Sequence, residues 1–175
     1  MLAALAVAAV AAQPEALVAQ IDPGASAANP AHAQPVRLSG PRAGMTFFTG
    51  DVADFREASG QNPLMSQFGW QSEKRLVSTS TGMQALLEWV ILVGGVEASQ
   101  LNLSNSFLAG IRTPSGLEFG VGPNISIAEQ GTTTSLVTAA GLTLPFGEIQ
   151  IPINLAVSYA EGGPRITTLV GWLVR

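Results

Sequence analysis

Residues 149–159 read Ile-Gln-Ile-Pro-Ile-Asn-Leu-Ala-Val-Ser-Tyr. Every odd position is large and apolar or aromatic, and every even position is small or polar and uncharged. Successive side chains of a strand point to opposite faces, so the two sets separate cleanly. The polar face is the informative one. A strand at a water-facing surface normally alternates its apolar side with charged or strongly polar residues, and this one carries no charge. The pattern predicts a barrel stave: an apolar face toward lipid, and small polar groups lining a narrow interior.

Composition narrows the choice. Charged residues make up 11% of the 175-residue chain, against roughly 25% in average soluble proteins. Mean hydropathy is +0.33, yet no stretch approaches the roughly 20 apolar residues of a membrane helix. Two options remain, a membrane barrel or an unusually apolar soluble β protein. The net charge of −4 provides no basic surface for nucleic acid, and Lys74-Arg75 is too short to make one. The chain has no cysteine, which excludes disulfides, thiolate metal sites and a catalytic thiol. Its single histidine, His32, lies in a segment that reads as leader or linker. A mature protein without His lacks the commonest general base, the Ser-His-Asp triad and a His-based metal site. These features predict a non-enzymatic protein with no cofactor and no metal.

Residues 1–12 form an apolar, Ala-rich run of signal-peptide core length, although no Lys or Arg precedes Arg37. Residues 1–33 are therefore expected to be a leader, with small-x-small cleavage sequences ending at Ala12 and Ala33. Residues 34–42 read as linker, and the folded domain is expected over 43–175. Eight strand-like segments follow, at 43–49, 65–77, 83–94, 102–112, 116–122, 135–144, 149–159 and 165–174. Several are ~9–12 residues, long enough to cross a bilayer at a tilt. Connections 78–82, 113–115 and 145–148 are tight turns. Those at 50–64, 95–101 and 123–134 read as long loops, and 160–164 is short. Short turns at one end and longer loops at the other predict an all-β, antiparallel up-and-down barrel of about eight strands. Within the first loop, 51–58 reads as a short helix, with Asp51 as its cap and Val52 and Phe55 on one side.

The eight segments, the loop lengths and the leader together resemble the small bacterial outer-membrane β-barrel proteins. The resemblance covers about 43–175 and is architectural. It implies an outer-membrane location in a Gram-negative envelope and contact with membrane lipid. Two features depart from it. Such barrels commonly finish on an aromatic residue, whereas this chain ends Trp172-Leu173-Val174-Arg175. Pro152 falls in mid-strand, where it deletes a ladder hydrogen bond.

Strand parity places Glu73, Arg75, Glu88, Arg112 and Glu118 inside the barrel, as a polar network in which both signs are present. Trp70, Trp89, Phe107, Tyr159 and Trp172 are expected as aromatic girdles at the membrane interfaces. Function is then expected to be structural, adhesive or in envelope assembly, with partner proteins met through loops 50–64, 95–101 and 123–134. The alternative is a periplasmic or secreted soluble β-barrel that turns its apolar face inward around a small apolar ligand.

Overall fold

Alternating side chains build strands wherever the two faces meet different surroundings, and here they do so around a complete circle. The computed structural model describes residues 36–98, 100–129 and 131–175. Its strands are β1 (Arg37–Phe48), β2 (Leu64–Ser78), β3 (Gln84–Gly94), β4 (Asn102–Arg112), β5 (Leu117–Ala128), β6 (Gly131–Phe146), β7 (Ile149–Ala160) and β8 (Gly163–Gly171). Each pairs antiparallel with its chain neighbours, and β1 pairs with β8 to close an up-and-down barrel. Closure leaves no open sheet edge along the wall, a requirement where no water can hydrogen-bond the backbone. Helix α1 (Asp51–Ala58) and a 3-10 turn at Val96–Ala98 lie at the end opposite the start of β1 and the end of β8.

The parity of β7 settles which way the barrel faces. Ile153, Leu155 and Tyr159 are 48%, 50% and 55% exposed on the outside, while Pro152 is buried and Asn154 is half-buried. The same outward set continues through Met45, Phe68, Trp70, Phe119, Val121, Ile125, Leu136 and Val170. The interior is more apolar than the polar lining expected. Leu86, Val90, Leu92, Leu108 and Val137 are buried inside among the polar groups. On β3 both faces are apolar, with Glu88 the one charge on the inner face.

Pro152 is accommodated by a gap in pairing. The Gln150 N–H bonds Leu173 on the β8 side, so the nitrogen of Pro152, two residues on, faces the same side. There the β7–β8 ladder stops at the Ile153–Val170 pair, and an isolated Gln150–Leu173 bridge resumes beyond it. The missing donor falls in that interval. Two inward glycines permit close approach between strands. A Cβ on Gly44 would meet the Thr168 carbonyl oxygen at 1.8 Å, and one on Gly69 would meet that of Ile91 at 1.8 Å.

Several boundaries differ from the sequence expectation. β1 starts at Arg37, so most of the supposed 34–42 linker is strand. The supposed loop 123–134 is mostly strand too, because β5 runs to Ala128 and β6 starts at Gly131. In both places inward polar residues and glycines gave strand the composition of a loop. The expected leader, 1–33, lies outside the described residues. The helix forms over Asp51–Ala58, but Gly50 occupies its cap position with φ +63° and no side chain caps it.

Candidate functional site

The barrel interior is built in levels, each supplied by inward positions of several strands. Nearest the tight-turn end, Arg112 of β4 donates from Nη1 to Glu73 Oε1 of β2 at 2.8 Å. Its Nη2 bonds the other Glu73 oxygen, and its Nε bonds Glu118 of β5. Arg112 and Glu118 are direct register partners, whereas Glu73 reaches them from two strands away across the lumen. All three side chains are buried. Glu88 faces Glu73 in the β2–β3 register, and Gln71 Nε2 donates to it at 3.1 Å. Arg75, the fifth residue expected here, is only half-buried and lies outside both salt bridges. A register shift between Arg75 and Val77 ends the regular parity of β2 at that point.

The next level holds a residue that sequence reading missed. Arg42 is buried, and its Nη2 donates to Asn154 Oδ1 of β7. Above it hydroxyl and amide groups are interleaved with the apolar Leu92, Leu108 and Val137. Asn124 Nδ2 donates to Ser104 and Ser106 at 2.6 and 2.9 Å, and its Oδ1 accepts from Ser126 at 2.9 Å. Thr46 bonds Gln67 at 2.9 Å and Thr167 at 2.7 Å. A cavity of about 80 Å³ lies among these groups. It shares Phe48, Met65, Asn102, Ser126 and Arg165 with a cavity of about 430 Å³ at the mouth, beside α1. A separate cavity at the tight-turn end, lined by Leu38, Arg75, Gln150 and Arg175 among others, shares no residue with either. The arrangement is a funnel open toward α1 and filled at its base by Arg112, Glu73, Glu118, Leu86 and Pro152.

At the mouth, Phe48 is buried beside two cations. The Arg56 guanidinium of α1 lies 4.7 Å from its ring centre and that of Arg165 lies 5.5 Å away, a cation–π arrangement. The 3-10 turn is tied to the wall by Glu97, which accepts the Ser66 N–H at 2.7 Å and the Ser66 hydroxyl at 2.6 Å. The hydroxyl bond leads in holding the Glu97 carboxyl below its ordinary pKa.

The expected aromatics do not form two rings. Trp70, Trp89 and Phe107 lie near the middles of β2, β3 and β4. Trp89 and Phe107 are direct register partners, so the three make one patch on a single side of the wall. The Trp89 indole N–H is satisfied by Asn105 Oδ1 at 2.6 Å. Tyr159 lies near the mouth end of β7, and Trp172 follows β8 at the terminal end.

Charge is distributed unevenly between the ends. Among the described residues, the mouth end carries Asp51, Asp54, Glu57, Glu97, Glu129 and Glu161 against Arg56 and Arg165. Outside the buried Arg112–Glu73–Glu118 cluster and Glu88, the terminal end carries Arg37, Lys74, Arg75 and Arg175 against Glu148.

No protein-family model matches this chain, and neither does any curated protein sequence. Among solved structures it is similar to Ail, the attachment invasion locus protein of Yersinia pestis, in complex with the heparin analogue sucrose octasulfate. That match is at 14% identity and a TM-score of 0.50, covering 78% of this chain and 97% of that one. A second structure of Ail matches at 16% identity and a TM-score of 0.47, covering 78% of this chain and 96% of that one. The chain has the fold of a small bacterial outer-membrane β-barrel.

Proposed function

We propose that the protein is a non-enzymatic outer-membrane barrel of a Gram-negative envelope, acting in adhesion or envelope assembly through its α1-bearing mouth. One observation carries the reading. The outward wall is a continuous belt of apolar side chains, with the polar groups turned in, which suits a lipid surround and not water. The soluble alternative required Ile151, Ile153 and Leu155 to face an internal cavity, and Ile153 and Leu155 are exposed outside. The contact elements in this reading are α1 and the 3-10 turn. The 129–130 connection between β5 and β6 is too short to offer the broad loop expected there.

The solved Ail complex holds a heparin analogue. At the mouth of this chain carboxylates outnumber guanidinium groups, which disfavours a polysulfated ligand there. We infer a neutral or cationic partner in place of a sulfated glycan. Cell fractionation tests the location: the mature protein should partition with outer membranes and migrate faster on unboiled than on boiled gels. Recovery as a monodisperse species without detergent would refute the membrane reading.

A further inference from the structure

Among the described residues, the outward positions of the eight strands carry two charges, Arg37 on β1 and Lys74 on β2. The two are direct partners in the β1–β2 register. Leu38 and Glu73, the next pair of the same ladder, are buried inside, so Arg37 and Lys74 point outward. Arg37 is exposed and Lys74 is half-buried. Like charges directly opposite each other on adjacent strands destabilise the pair. Neither residue is in a salt bridge, because both salt bridges among the described residues belong to Arg112. The pair lies at the terminal end, about 13 Å along β2 from Trp70, a distance set by the strand rise. Arg75 and Arg175 lie at the same end, where Glu148 is the exposed carboxylate and the buried Glu73 and Glu118 are engaged by Arg112.

We propose that Arg37 and Lys74 form a docking site for the phosphate of an anionic phospholipid in the leaflet at the tight-turn end. The proposal rests on the membrane reading above. A phosphodiester placed between the two groups replaces one repulsion with two attractions. The guanidinium fork takes two phosphate oxygens, and the ammonium acts as a point charge. A zwitterionic headgroup brings its own cation, which competes for the same phosphate. A headgroup with an uncharged polyol, as in phosphatidylglycerol, leaves the phosphate free, so the site discriminates between them.

The test uses the refolded full chain in phosphatidylcholine vesicles, with acyl-brominated phosphatidylglycerol or brominated phosphatidylcholine as quencher of the native tryptophans. The expected relative affinity favours phosphatidylglycerol by about fivefold per cation. It should fall toward parity in Arg37→Ser/Lys74→Ser and persist in Arg37→Lys. Equal quenching by the two lipids in a barrel that has inserted, shown by its faster unboiled migration, overturns this proposal and leaves the membrane reading standing. Failure to insert at all overturns both. A preference abolished by millimolar inorganic phosphate assigns the pair to a soluble anion and overturns the lipid assignment.

Discussion

At the residue scale, the chain's few charges carry more weight than their number suggests. Arg112 is held by two carboxylates in a buried site. Removing it strands both of them, and breaking a buried ion pair from one side costs roughly 3–5 kcal/mol. Arg112→Met should lower unfolding stability in detergent by about that amount. Adding Glu73→Gln and Glu118→Gln should restore most of the loss. A single variant within about 0.5 kcal/mol of the parent, the range of an ordinary surface change, would show that the cluster adds nothing. Glu97 gives a pH-dependent prediction. Its carboxyl pKa is lowered in the folded state, so the tether of the 3-10 turn is present above the unfolded value and is lost as pH falls through the folded one. The Ser66 amide resonance should titrate with a midpoint below the roughly 4.3 of a free Glu. A midpoint at or above that value would argue against the two hydrogen bonds. Parity alone identified Glu73, Glu88, Arg112 and Glu118 as inward. Arg42 escaped because Gly40 and Pro41 beside it made the segment read as linker. Arg75 departs because a register shift, invisible in the sequence, intervenes next to it.

At the element scale, the strands were most legible where one face was purely apolar, as in β7. They were least legible where outward residues were sparse. In 123–134 the outward Ile125 and Ile127 alternate with the inward Asn124 and Ser126, the same grammar as β7. The neighbouring Pro123, Gly131 and threonines hid it. A lumen that accepts Ser, Asn and Gly removes the contrast by which strand is usually told from loop. The inward glycines also make an element-level prediction. Gly44→Ala places a methyl group 1.8 Å from the Thr168 carbonyl oxygen on β8. Refolding should therefore lose the faster-migrating unboiled species, while Ala43→Gly, outward and one residue away, should retain most of it. Normal folding of Gly44→Ala would mean that β1 and β8 lie farther apart than described.

At the scale of the whole molecule, the two ends differ in sign. A mouth rich in carboxylates should be repelled by a polysulfated surface. The refolded Arg37→Ser/Lys74→Ser variant, which lacks the cationic pair of the other end, should pass through a heparin column at physiological ionic strength, where the Debye length is about 8 Å. Retention released by salt would overturn the inferred partner chemistry. This asymmetry was present in the sequence all along, but net charge conceals it. Only the alternation of strand direction gathers most of the exposed acids at one end and most of the exposed bases at the other. The pairing of β1 with β8 has a further consequence, in time and not in space. Every other ladder joins neighbours in the chain and can form as a local hairpin. The β1–β8 ladder joins Phe48 to Arg165 and Arg42 to Gly171, so its loop-closure entropy is the largest in the molecule. It is therefore the last to form, and until it does the chain is an open sheet with two unpaired edges, which is the state from which misassembly would begin.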